Sequence, residues 1–302
     1  MGMTMDWSKI GCIQEPPVQV RKAEPLARHT SFRIGGPADY MAFPASQAQL
    51  AFLLRTAWQE KQTAAILGAG TNVLAADAGK RGLTICTRAL DGIRLLDETT
   101  LEIECGVSMA RAAAFARDHG LTGLEFAHGI PGSVGGGVFM NAGAYGGEIC
   151  QVAAATTVLA PDGAAQVVTG ADQGFAYRHS AFQEMEGVIF KTVFTLQKGD
   201  PAEITEKMQA LMQRRRASQP LDMPSAGSTF KRPVGAYAAA LIEQCGLKGK
   251  GVGAAAVSEK HAGFVVNLGG ATAADVLATI RLVQREVQAQ TGFTLEPEVK
   301  LF

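Results

Sequence analysis

At 302 residues, 47% of them apolar, the chain has room for two domains and ample material for a core. Its 28 basic and 28 acidic residues balance, so no surplus of positive charge invites nucleic acid or an anionic membrane surface. Five scattered cysteines without a CxxC pair, and five histidines without HExxH or HxxxH spacing, leave no zinc, dithiol or metal reading.

The opening MGMTMDWSKIGC lacks the continuous apolar region of a signal peptide, and no apolar run reaches the length of a membrane span. The expectation is a cytoplasmic protein with reduced thiols. DYMAFP (39–44) predicts a short strand. A helix follows, opened by Ser46 and Gln49 in capping-box spacing, with Leu50, Leu53 and Leu54 on its apolar face. AAILGAGTNVL (64–74) reads as a buried strand running into a glycine turn. Strands are expected around 83–87, 93–96 and 101–106, then a helix over SMARAAAFARDHG that ends at Gly120.

Residues 152–160, a Pro161-Asp162-Gly163 turn and AQVVT carry the signature of a hairpin, and VIFKTVFTLQ (188–197) alternates like a half-buried strand. A polar helix covers 200–219. Its Arg214-Arg215-Arg216 cluster reads as a solvated face rather than a phosphate site. A helix at 235–245 and the strand FVVNL (264–268) come next. The last helix is capped by Thr272 with Asp275 and buries Val276, Ile280, Val283 and Val287, before a strand-like LEPEVKLF. The pattern is α+β, with a larger strand-rich first part and a smaller second one.

Between 129 and 147 the chain reads GIPGSVGGGVFMNAGAYGG, bare yet apolar. Glycine belongs where the backbone takes positive φ or lies very close to something. Consecutive amides at Gly135-Gly136-Gly137 suit a diphosphate, and GAGTN (68–72) offers a second such turn. GAGTNV is not the dinucleotide fingerprint, since Val73 stands where the third glycine belongs and no helix of the right length follows. No phosphate loop with lysine after the second glycine occurs either. Apolar residues among the glycines favour a large, partly flat cofactor such as a flavin.

Seven segments in order, HTSFRIGGPADY (29–40), ILGAGTNVL (66–74), the 129–147 stretch, YRHSAF (177–182), AGSTFKRP (226–233), VSEKHAGFVVN (257–267) and LEPEVKLF (295–302), resemble the UDP-N-acetylenolpyruvoylglucosamine reductase family from about residue 25 onward. The resemblance implies an FAD-binding domain of the vanillyl-alcohol oxidase/p-cresol methylhydroxylase type plus a smaller α+β substrate-binding domain. The expected boundaries are 1–200 (lobes 22–88 and 89–200), 201–290, and a C-terminal strand at 291–302. It also implies non-covalent FAD, NADPH as reductant and a nucleotide-sugar substrate, with no protein partner, nucleic acid or membrane evident.

FAD would lie against Gly68, Ala69, Gly70, Thr71 and Asn72 on one loop. On the other it would meet Gly129, Ile130, Pro131, Gly132, Ser133 and Gly136, then Asn141, Gly143, Ala144 and Tyr145. Tyr177, Lys231 and Arg232 are the implied substrate contacts. No tyrosine lies between Tyr177 and Tyr237, so the chain resembles the family's compact form, without the tyrosine-bearing insertion. Two departures are visible: GAGTN in place of GGGSN, and FKRP in place of FKNP, which puts Arg232 where an asparagine is common.

Reducing an enolpyruvyl ether requires something positive for the developing enolate and a proton donor. Arg178 in YRHSAF can grip a carboxylate with two parallel hydrogen bonds. The resemblance assigns it the catalytic arginine, Ser228 the general acid and Glu298 the catalytic carboxylate. Lys231, three residues after Ser228, can stabilise the alkoxide left behind or engage the substrate. Strand alternation alone puts Glu296 and Glu298 on one face, and does not choose between them. Two rivals remain: an FAD-dependent oxidase on the same scaffold, with His128 beside the flavin loop, and a silent nucleotide-sugar or flavin-binding module.

Overall fold

Every strand expected before residue 270 has a counterpart in the computed structural model, which describes residues 5–302. Of the strand expected at 291–302 only Lys300–Leu301 forms one, and Thr291 still belongs to the last helix. The chain forms two compact units, each assembled from separate stretches. The first holds residues up to 24, 39–69 and 81–213; the second holds 25–38, 70–80 and 214–302. The mixed α+β reading holds.

In the first unit a five-stranded antiparallel sheet runs in the order Ala165–Thr169, Ala153–Leu159, Val188–Thr195, Thr100–Glu104 and Ile93–Leu95. The predicted hairpin is its first pair. Val188–Thr195 buries alternate residues, as its sequence requires. Its inner face packs with the helix Met109–Asp118 around Leu101, Ile103, Phe194 and Ala112. A second cluster gathers Leu50, Leu53 and Leu54 of the helix Gln47–Gln59 against Leu83, Ile85 and Phe190. Ser46 caps that helix through Gln49 N. The return bond departs from a capping box, because Gln49 Oε1 accepts from Ala45 N, one residue early.

The strand Ala65–Leu67 pairs in parallel with Lys80–Cys86. It ends at Gly68, which opens the GAGTN turn.

The second unit has three short antiparallel strands, Gly251–Val252, Ala255–Val257 and Val265–Asn267. The helix Ala273–Thr291 packs on them through Val276, Ile280, Val283 and Val287. Its Thr272–Asp275 capping box is complete, and Gly292 ends it at φ +76°. Lys300–Leu301 lies parallel to Val73–Leu74. Phe32, Ile34 and Leu74, from early in the chain, belong to this unit's core. Among the described residues no helix is long and apolar enough to cross a membrane.

Candidate active site

The glycine-rich stretch of the first unit contains a helix that its composition conceals, Val134–Phe139. Three glycines in a row are poor helix formers, so tertiary bonds hold it. Val134 N donates to Val107 O at 2.8 Å and Gly135 N to Cys105 O at 2.9 Å. The three glycines differ in role. A Cβ on Gly135 would lie 2.6 Å from Cys105 Cβ, and one on Gly137 2.8 Å from Met109 Sδ. Both are bare because protein lies against them. Gly136 is exposed, and a Cβ there would meet only Ser133 Oγ, at 3.5 Å. The expectation of three presented amides is therefore corrected to one open glycine, with the Gly135 amide spent on Cys105 O and the Gly137 amide on Ser133 O.

Ser133 is 2% exposed, yet its hydroxyl has no hydrogen-bond partner among the described residues and does not cap the helix it precedes. A Cβ on Gly68 would come within 2.8 Å of that oxygen. Gly68, Gly136 and Ser133 Oγ thus form a place with bare walls and one buried, unsatisfied hydroxyl. Leaving such a group unpaired costs about 1–3 kcal/mol, recovered when a ligand oxygen or donor arrives. As a first-turn residue, Gly136 also carries one of the amides that a helix leaves without an internal acceptor. His128 Nδ1, beside Gly129 in the chain, is a further buried atom with no hydrogen-bond partner among the described residues. These groups fit the diphosphate of FAD.

The remaining loop residues serve mainly to hold the backbone. Ile130 N donates to Ala127 O, and Gly132, at φ +143°, accepts from Met109 N. Pro131 is exposed. Ala69 O accepts from Arg88 Nη2 at 3.1 Å. Gly143–Ala144 pairs with Gly147–Glu148 around Tyr145-Gly146, both at positive φ, as a two-residue type I′ hairpin turn demands. Asn141 is buried and left-handed, at φ +42°. Its Nδ2 donates to Ala176 O at 3.0 Å and Glu148 Oε2 at 3.2 Å, while its Oδ1 accepts from Cys150 N at 2.9 Å. Its side-chain amide is thus committed to protein groups on three counts.

Arg178 sits in a tight turn in which Ala176 and His179 exchange both backbone bonds at 3.1 Å. It is left-handed, at φ +56°, an arrangement uncommon for a residue with a Cβ. The half-buried guanidinium donates to Gly143 O at 3.3 Å and lies 5.1 Å from the centre of the Tyr177 ring. The hairpin and the arginine turn, 35 residues apart, are therefore in direct contact. Ser180 and Gln183 both donate to Phe139 O, the last carbonyl of the glycine helix. Sequence reasoning missed both, because their acceptor lies some 40 residues away and leaves no local pattern.

In the second unit Ser228 is exposed and its hydroxyl makes no hydrogen bond among the described residues. Its backbone is nevertheless firmly held. Ser225 bridges to Val266, and buried Thr229 accepts from Val265 N through Oγ1 and donates its own N–H to Gly263 O. Segment 229–231 pairs with 296–298: Lys231 N donates to Glu296 O and Glu298 N to Thr229 O, both at 2.8 Å.

The two glutamates now separate. Glu296 is exposed and bound to Lys231 Nζ at 2.5 Å, whereas Glu298 is half-buried. Asn72 Nδ2 donates to Glu298 O at 3.3 Å, so the asparagine of GAGTN braces the carboxylate segment. Half-buried Thr71 precedes it, and Gly70 is left-handed at φ +69°, with His29 O only 2.0 Å from where its Cβ would be. Arg232 stacks on Tyr237, its guanidinium 3.9 Å from the ring centre.

Comparison with known proteins is consistent over nearly the whole chain. Residues 38–169 match the FAD-binding-domain model, and 219–302 match the C-terminal domain of UDP-N-acetylenolpyruvoylglucosamine reductase. The UDP-N-acetylenolpyruvoylglucosamine reductase of Caldanaerobacter subterraneus is 46% identical over 278 residues, 92% of each chain. Reductase 2 of Symbiobacterium thermophilum is 45% identical over 294 residues, 97% of this chain and 96% of its own. The crystal structure of the Thermus caldophilus enzyme superposes with a TM-score of 0.79 at 32% identity, covering 94% of this chain and 98% of that one. With identity at this level spread over both units, the chain belongs to the UDP-N-acetylenolpyruvoylglucosamine reductase family.

Proposed function

We propose that this chain reduces the enolpyruvyl ether of UDP-N-acetylglucosamine to UDP-N-acetylmuramate for peptidoglycan synthesis, in the cytoplasm, with non-covalent FAD as cofactor and NADPH as reductant. FAD, when bound, supplies the hydride chemistry, accepting from NADPH and delivering to the vinyl carbon of the substrate. Residues 1–200 hold the cofactor, 201–290 bind substrate and 291–302 supply the catalytic carboxylate.

The protein's own part is positioning, charge and one proton. As the vinyl carbon is reduced, negative charge grows on its neighbour and spreads into the substrate carboxylate. Arg178 grips that carboxylate with its permanently charged fork, which strengthens as the charge grows. Ser228 gives its proton to that neighbouring carbon, and Glu298, if it carries a proton, donates a hydrogen bond to the enolate or assists that delivery. Tyr177, Lys231 and Arg232 contact the nucleotide-sugar. With Lys231 paired to Glu296, support for a serine alkoxide requires that ion pair to loosen.

The observation that carries this reading is Ser228: an exposed hydroxyl with no partner among the described residues, on a backbone tied down at Ser225 and Thr229. Its test is anaerobic. The flavoprotein is reduced with one equivalent of NADPH, the enolpyruvyl ether is added, and flavin absorbance is followed near ~450 nm. Prompt return of the oxidised spectrum is expected. A flavin that stays reduced until air enters would overturn the reading in favour of an oxidase.

A further inference from the structure

We infer that Gln183 is a positioning residue for the reduction: its side-chain amide fixes the left-handed turn from which the Arg178 guanidinium extends. The inference rests on the reading of Arg178 as the group that grips the substrate carboxylate. Gln183 Nε2 donates to Arg178 O at 3.1 Å and to Phe139 O at 3.0 Å. One –NH2 group, with its two hydrogens, thus joins the arginine's own carbonyl to the end of the glycine helix.

The need for such a bond comes from the backbone. At φ +56° Arg178 holds a conformation that a residue with a Cβ keeps only when its surroundings impose it. The two carbonyls that bracket Tyr177-Arg178 are each held by an amide side chain. Asn141 takes Ala176 O at 3.0 Å, and Gln183 takes Arg178 O. Both amides are anchored in or just after the helix Val134–Phe139, whose last carbonyls lack intrahelical partners. Without Gln183 the carbonyl of Arg178 loses this tie, the turn is free to relax toward right-handed φ, and the guanidinium shifts from Gly143 O.

Ser180 offers an internal comparison. Its hydroxyl donates to the same Phe139 O at 2.8 Å but makes no bond to Arg178. If the helix end were all that mattered, Ser180 and Gln183 would behave alike.

The experiment uses the FAD-loaded enzyme and stopped-flow kinetics of each half-reaction for Gln183→Met, Gln183→Glu, Ser180→Ala, Arg178→Lys and the double variant Arg178→Lys/Gln183→Met. Methionine keeps the length without a donor; glutamate offers acceptors only. Both Gln183 variants are expected to retain FAD and to be reduced by NADPH within about twofold of the parent. Reoxidation by the enolpyruvyl sugar should slow roughly 10–100-fold, the scale of misplacing one reacting group by about 1 Å. Ser180→Ala should stay within about threefold. In the double variant Gln183→Met should add no further slowing, because its effect passes through the arginine.

Multiplying losses in the double variant, an equal slowing in Ser180→Ala, or a Gln183→Met protein that loses FAD and both half-reactions together would each overturn the inference. A slow Arg178→Lys enzyme beside an unimpaired Gln183→Met overturns it alone. An unimpaired Arg178→Lys enzyme sinks the arginine reading and this inference with it.

Discussion

Gly136→Ala should stabilise the apoprotein while weakening its hold on FAD, and the two effects can be sized separately. The residue lies in the first turn of the helix Val134–Phe139 at ordinary helical φ, so a methyl group gains helix propensity of at most about 1 kcal/mol. The new Cβ touches only Ser133 Oγ, at 3.5 Å, an ordinary van der Waals contact with no overpacking cost. For a domain of this size that corresponds to a rise in Tm of about 2–4 °C. The same methyl would cover the open face of the loop at residue 136 itself. It would remove a hydrogen bond to a charged oxygen, worth about 1.5–3 kcal/mol, or roughly 10–100-fold in Kd. Thermal melts of apoprotein with and without FAD, together with a titration by flavin fluorescence, measure both. Gly135→Ala is the contrast. Its Cβ meets Cys105 Cβ at 2.6 Å, so apo and FAD-bound forms should both lose about 1–3 kcal/mol. A Gly136→Ala protein that binds FAD as tightly as the parent would refute the reasoning, however much its apo form gained.

Ser228→Ala should bind FAD and accept electrons from NADPH, yet be reoxidised by the enolpyruvyl sugar about 10²-fold more slowly; turnover within about threefold of the parent would remove the general-acid role. Glu296→Gln breaks an exposed pair with Lys231 and should cost under about 1 kcal/mol in a denaturant titration, with near-normal turnover, whereas Glu298→Gln should lose turnover. The reverse order would exchange the two assignments. Burial pushes the Glu125 carboxyl up, but hydrogen bonds from Thr122 Oγ1 and Gly123 N, with Lys207 nearby, outweigh it and hold the group below its ordinary 4.5. A depressed folded value stabilises fully above 4.5 and is lost as pH falls below it. Glu125→Gln should therefore cost about 1.5–3 kcal/mol at pH 7 and progressively less in acid; a pH-independent difference would contradict this. With a thiol reagent at pH 8, exposed Cys12 and Cys150 should react in the native protein, and buried Cys86 and Cys105 only on unfolding, burial pushing the Cys105 thiol up to about 12. Fast native labelling at Cys105 would be the contrary result.

Much of the scaffold is legible because its signals are local. Thr272 with Asp275 announced a capping box, and the alternation of Val188–Thr195 announced a strand with one buried face. The glycine helix was invisible for the opposite reason. Its propensity argues against a helix, and what forms it is a pair of carbonyls at Cys105 and Val107, supplied by another segment. Ser46 and Gln49 fall between these cases: spacing found the cap, but the glutamine's bond to Ala45 N depends on how the chain enters. In the candidate site, Arg178 and Ser228 carry recognisable motifs, while Gln183, Ser180 and the bond between Asn72 and Glu298 O exist only once distant segments meet. The pairing of Lys231 with Glu296 is likewise tertiary, because strand alternation alone treats the two glutamates alike.

The interleaving of the two units bears on how hybrids with the family's other members could be made. The chain passes between units at 24/25, 38/39, 69/70, 80/81 and 213/214. A single crossover at 213/214 gives a first unit of one parentage but leaves the second a mosaic. Phe32, Ile34 and Leu74 would come from one parent and Val276, Ile280 and Val283 from the other, within one core. The same crossover splits Asn72 from Glu298 and Asp77 from the amides of Ala273 and Ala274 that it caps. Exchanging the second unit intact means moving 25–38 and 70–80 together with 214–302, three inserts rather than one.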